Sequence, residues 1–175
     1  MAVYRIDPDG SVHRIITDAG KPNGVAVSPD QQTLYVVSND NGNSGIFRVG
    51  PLKPFRRGHM ALMAYDLAAD GTATFREVLV DYYPEDGPDG LVCDVDGNIW
   101  IAVRDQLRPG IYVYAPDGQE LAYIPTPGTH INEYGIDGRP TNVAFGRGED
   151  AKTLYITYGG SMARIKVEKE GYQLP

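Results

Sequence analysis

One cysteine, Cys93, occurs in 175 residues. That excludes an intrachain disulfide and fits a reducing compartment. No apolar run is long enough to cross a bilayer as a helix. No window repeats apolar residues at spacings of three and four over the length of a helix. Positive charge is in short supply: 16 Lys and Arg stand against 23 Asp and Glu, a net charge of −7. Nucleic acids and anionic membranes reward basic patches, so neither is expected as a partner, whereas acidic loops favour a cation. The opening residues MAVYRIDPDG read as strand and turn, not as a signal peptide. A cytoplasmic location is the expectation. Periplasmic or secreted placement stays open, since a leader would belong to an N-terminal portion of a longer protein.

What the chain has in plenty is 21 Gly, 13 Pro and 12 Tyr, within a sequence that is 42% hydrophobic. Many turns and many aromatics predict short strands in a single all-β domain. Residues 87–103, GPDGLVCDVDGNIWIAV, give the pattern: Asp89 between Pro88 and Gly90, an apolar run Leu91–Cys93, a turn at Asp96–Asn98, and a second apolar run Ile99–Val103. This is a strand, a hairpin turn and a strand. The same shape recurs at residues 20–40, GKPNGVAVSPDQQTLYVVSND, and at 139–160, RPTNVAFGRGEDAKTLYITYGG.

Each copy is followed by a third strand: Ile46–Val49 or Leu62–Asp66, then Ile111–Tyr114, then Ala163–Val167. The first two copies add a fourth, Thr74–Leu79 and Glu120–Ile124, and residues 3–17 form one more hairpin. Four-stranded antiparallel units that repeat at intervals of roughly 50–65 residues are the signature of a β-propeller. The expected division is 1–19 as the end of one blade, 20–84 and 85–127 as whole blades, 128–170 as the start of a last blade, and 171–175 as a tail. These sum to about three blades, fewer than the four or more that close a ring. The rest is expected from a missing N-terminal half or from a second copy.

Propeller geometry puts the loop before each innermost strand on the same face as the loop joining the second strand to the third. Here those loops are long and polar, and they carry Asn39, Asp40, Asp86, Asp89, Arg104, Asp105, His130, Asn132, Glu133 and Tyr134. Long polar loops on a rigid scaffold are where function concentrates. Aligning the copies makes Asn23, Asp89 and Thr141 equivalent, at the mouth of the central channel. Asn23 and Asp89 offer oxygen ligands suited to Ca²⁺, Mg²⁺ or Mn²⁺, and Zn²⁺ accepts carboxylate oxygen too. Asn-Gly and Asp-Gly are also ordinary turn dipeptides, so spacing leaves a plain turn open.

The segments KPNGVAVSPDQQTLYV, GPDGLVCDVDGNIWIAV, IYVYAPDGQELAYI and RPTNVAFGRGEDAKTLYIT resemble the second half of the gluconolactonase and regucalcin (senescence marker protein) family. The likeness runs from about residue 3 to residue 167. It implies a partial six-bladed propeller and divalent-metal hydrolysis of sugar lactones or related esters, with Ca²⁺ the first candidate. It implies that Asn23 and Asp89 are metal ligands and that Asp89 is also the catalytic acid/base. The family's further Glu ligand, and the substrate-binding Arg and Asn of its earlier blades, have no matching segment here. The rival reading is a non-catalytic propeller that binds a ligand or partner, since a fold does not fix an activity.

Other residues take plainer roles. Cys93 is expected in the core and Trp100 between blades. Asp94-Val95-Asp96-Gly97 starts like a calcium loop but lacks its third acidic position and closing Glu, so a hairpin turn is expected. The basic insertion 53–59 is expected to be a solvated loop. His130 and Glu133, in the long loop before the last inner strand, are candidates for substrate contact.

Overall fold

The hairpin turns are built alike. Asp9, Asp30, Asp70 and Asp117 each accept a hydrogen bond from the backbone N–H two residues on, at 2.9–3.0 Å. Gly10, Gly71 and Gly118 follow with φ between 79° and 86°, a conformation that glycine adopts without steric cost. These turns divide the chain into short antiparallel strands.

The computed structural model describes residues 1–40, 58–126 and 138–174. β1 (Val3–Ile6) and β2 (Val12–Ile16) form a two-stranded sheet. β3 (Pro22–Val27), β4 (Thr33–Asn39), β5 (Met60–Leu67) and β6 (Ala73–Asp81) form a four-stranded meander. β7 (Pro88–Cys93), β8 (Ile99–Val103), β9 (Gly110–Tyr114) and β10 (Glu120–Pro125) repeat it. β11 (Pro140–Phe145), β12 (Thr153–Tyr158) and β13 (Ser161–Lys166) form a sheet of three. Of the two candidates for the third strand of the first full blade, the segment around Leu62–Asp66 pairs with β4. Ile46–Val49 lies outside the described residues. Among the described residues no helix is long and apolar enough to cross a membrane.

The core lies between sheets, and strand periodicity explains how. Side chains alternate between the two faces of a strand. On β4, Tyr35 and Val37 face the β7–β10 sheet, while Leu34 and Val36 face the β1–β2 hairpin. On β8, Ile99, Ile101 and Val103 pack toward β4 and β5, and Trp100 and Ala102 toward β11 and β12. Every residue of β4, β8 and β9 is therefore buried. Blades packed face to face around inner strands make this a partial β-propeller. Trp100 meets Phe145 edge to face across two blades, with ring centroids 5.3 Å apart. Cys93 sits in the core, and burial pushes its thiol pKa up to about 12.

Asp94 is fully buried, yet its carboxylate accepts four hydrogen bonds, from Asp96 N, Asn98 N, Asn98 Nδ2 and Trp100 Nε1, all at 2.8–3.0 Å. It ties a hairpin and has no oxygen to spare for a calcium ion. Residues after β13 turn back beneath β7, where Tyr172 N–H donates to the Cys93 carbonyl at 3.0 Å.

Ile101 is 0% exposed at the centre of the core between the two full blades. Ile101→Ala is expected to lower the unfolding free energy by about 2–5 kcal/mol. Val12→Ala, at a site 61% exposed, is expected to stay within about 0.5 kcal/mol. Urea denaturation of the two variants measures both.

Candidate metal centre on the inner strands

Three prolines begin the three inner strands, and each is paired: Pro22 with Ser38, Pro88 with Val103, Pro140 with Tyr158. Immediately after each, the register slips, between Pro22 and Val25, Pro88 and Leu91, and Pro140 and Asn142. The three bulges fall at Asn23-Gly24, Asp89-Gly90 and Thr141. A bulge re-aims the side chain it carries. The sequence alignment of Asn23, Asp89 and Thr141 is thus a structural equivalence. Asn23 and Asp89 lie inside strands, not in the loops that precede them, because the prolines already belong to the ladder.

The glycines are not there for a turn, since neither Gly24 nor Gly90 has a positive φ. They are there for close approach. A Cβ on Gly24 would come within 2.5 Å of the Asp89 carbonyl oxygen, and one on Gly90 within 2.9 Å of the Asn142 Cα. Each inner strand lies directly on the next at the residue after the bulge. That contact sets Asn23 beside Asp89.

Burial, the largest influence, raises the Asp89 pKa above 3.8. The Arg104 guanidinium, 4.0 Å away, draws it back down, as does a side-chain hydrogen bond with Asn23. Asp86 pushes it up and Lys21 lowers it. Asp89 keeps 22% of its side chain exposed, and Asn23 is exposed at the same end of the strands.

A charged lattice crosses from this blade to the next. Arg139 donates to the Asp86 carboxylate at 3.1 Å and to the Arg104 carbonyl at 3.3 Å, and Arg104 reaches the Pro140 carbonyl at 3.5 Å. The loop bearing Arg104 is braced by Arg108, which forms a two-pronged pair with Glu120 at 3.1 and 2.7 Å and lies 4.1 Å from the Tyr123 ring centre. Lys21 and Arg139 escaped the reading of the sequence. The signal was present: both precede the strand-opening proline in their copies of the repeat.

The donor set fits a hard divalent cation. A part-buried carboxylate and a neutral amide lie side by side at one opening, and burial is what raises the carboxylate's pKa. Two protein donors are fewer than the six to eight oxygens around calcium. Among the described residues no cluster of three or more His, Cys, Asp or Glu side chains stands ready for a metal. His130 and Glu133 lie outside the described residues. Thr141, at the third bulge, shares a hydroxyl hydrogen bond with Thr157 at 2.9 Å.

Fold and site together define a propeller blade set whose inner-strand bulges present polar side chains at one end. The chain belongs to the family described as SMP-30/gluconolactonase/LRE-like region, which matches residues 1–49 and 57–160. It is 30% identical to a gluconolactonase of Zymomonas mobilis over 177 aligned residues, covering 97% of this chain and 41% of that protein. Among solved structures it is similar to a gluconolactonase of Xanthomonas campestris, with 29% identity, a TM-score of 0.65, and coverage of 98% of this chain and 44% of that one. It is also similar to a calcium-binding regucalcin of Agrobacterium tumefaciens, with 25% identity, a TM-score of 0.71, and coverage of 99% and 55%. The chain spans less than half the length of the gluconolactonases it matches.

The shifted carboxylate makes a signed prediction. Between 3.8 and its raised pKa, folded Asp89 holds a proton that the unfolded chain has released, so its contribution to stability falls as pH rises through that window. A cation must displace the same proton. Calcium affinity, followed by titration calorimetry between about pH 4 and 7, is therefore expected to rise with pH and then level off. Asp89→Asn is expected to remove the calcium response while leaving the metal-free melting temperature no lower.

Proposed function

We propose that this chain forms the half of a β-propeller hydrolase that holds two of its metal ligands, acting on sugar lactones or related esters. The observation that carries this reading is the side-by-side placement of Asn23 and Asp89 at equivalent bulges on adjacent inner strands, in a chain of the gluconolactonase-like family. Asn23 and Asp89 hold the cation, with Ca²⁺ preferred over Zn²⁺, Mg²⁺ or Mn²⁺. When bound, the cation polarises the lactone carbonyl and stabilises the charge that develops on its oxygen.

Asp89 has the second role, as general base. Its residual exposure leaves it open to the attacking water, whose proton it would take. Asn23 binds through a neutral oxygen and so leaves the cation's charge undiminished. Arg104 pairs with the Asp89 carboxylate at 4.0 Å. His130 and Glu133, in the sequence before β11, are assigned to the substrate.

The ring is completed by further polypeptide, either an N-terminal half or a second copy, to a total of six blades. Supporting this, the β1–β2 sheet has two strands where the full blades have four. Apolar side chains stand open at both ends of the array: Tyr4, Ile6 and Val12 at one, Met162 and Ile165 at the other, each more than two-fifths exposed. The lone, buried Cys93 is compatible with the cytoplasm, where we place the protein.

The test is calcium-dependent hydrolysis of an aldonolactone by the completed ring. Asp89→Ala is expected to lower kcat by about 10²–10⁴-fold. Full turnover in that variant would remove the catalytic assignment. Cation binding without any lactone or ester hydrolysis would favour a binding propeller.

A further inference from the structure

Asn39 is the last residue of β4 and is 7% exposed. It touches the strands of both candidate ligands. Its backbone N–H donates to the Lys21 carbonyl at 3.0 Å, two residues before Asn23. Its side-chain Nδ2 crosses to the next blade and donates to the Pro88 carbonyl at 3.1 Å and the Gly87 carbonyl at 3.4 Å, directly before Asp89. The opposite amide orientation would set Oδ1 against two carbonyl oxygens, so chemistry fixes the assignment. In this orientation Oδ1 is buried with no hydrogen-bond partner among the described residues. A buried amide that leaves its acceptor unused is held there by its donors alone.

We infer that Asn39 is a positioning residue that sets the spacing between Asn23 and Asp89. Its main chain anchors the approach to β3 and its side chain anchors the approach to β7. Both blades thus register to one residue at the end where the ligands open. The packing of Gly24 on Asp89 fixes how closely the strands approach, and Asn39 fixes where the Asp89 bulge sits along them. No ligand or substrate contact is assigned to Asn39 itself. Its connection to cation binding rests on the reading of Asn23 and Asp89 as cation ligands.

Asn39→Asp keeps the shape but points an oxygen, not a donor, at the Gly87 and Pro88 carbonyls. Ser38→Ala is the control. Ser38 is equally buried and donates to the His59 carbonyl at 2.9 Å, a contact within its own blade that reaches neither ligand strand. Two measurements on the purified chain decide the matter: hydrogen–deuterium exchange over residues 84–90 without metal, and calcium titration calorimetry. Asn39→Asp is expected to exchange faster over 84–90 and to bind calcium about 10–100-fold more weakly, with Ser38→Ala unchanged in both. Asn39→Ser, which keeps a shorter donor and the fold, is expected to fall between. Exchange over 84–90 that is unaltered in the Asn39 variants, or equally altered in Ser38→Ala, overturns the inference. If the wild-type chain itself binds no calcium, the metal reading fails, while exchange still decides the role of Asn39.

Discussion

Everything at the candidate site follows from how closely the inner strands approach one another. Gly24 lies against the Asp89 carbonyl and Gly90 against Asn142, at distances that leave no room for a Cβ. A methyl group at either position would push two blades apart at the end where the ligands open. The bulges work with this contact. Each inner strand slips register just after its first proline, which turns one polar side chain out of the ladder and into the opening. Tight packing and a displaced register together convert a repeated dipeptide into a pair of neighbouring polar side chains.

The rest of the structure holds that contact in place. Two full blades bury β4, β8 and β9 on both faces, so the inner strands rest on a core that resists sliding. Where the packing ends, polar links take over: Asn39 to the Pro88 turn, Arg139 to Asp86, and Arg108 to Glu120 and the tyrosines behind it. Asp89 is left part-buried, and that burial raises its pKa. That condition disfavours an isolated carboxylate and favours one beside a cation.

Much of this was legible in the sequence, because strands with period-two burial and Asp-Gly turns announce themselves locally. The hairpins, the meander order and the equivalence of Asn23, Asp89 and Thr141 were all readable from the repeat. The bulges were not. A bulge is a relation between two strands, and the residues Pro-Asn-Gly and Pro-Asp-Gly read as loop until their partners Ser38 and Val103 are known. The turn reading of Asn-Gly and Asp-Gly likewise fell only when their φ angles showed glycines serving close approach. The role of Asn39 depends on a contact to the neighbouring blade, 49 residues away in the chain, which no local pattern encodes, whereas Arg139, 53 residues from Asp86, is marked by its place before the strand-opening proline.

The most direct test is to locate the cation. Crystals of the protein soaked in calcium and measured at a long wavelength give an anomalous peak at the ion. One peak is expected at about 2.3–2.6 Å from both Asn23 Oδ1 and an Asp89 carboxylate oxygen. A peak bound elsewhere, with those two oxygens turned away from a shared point, would contradict it.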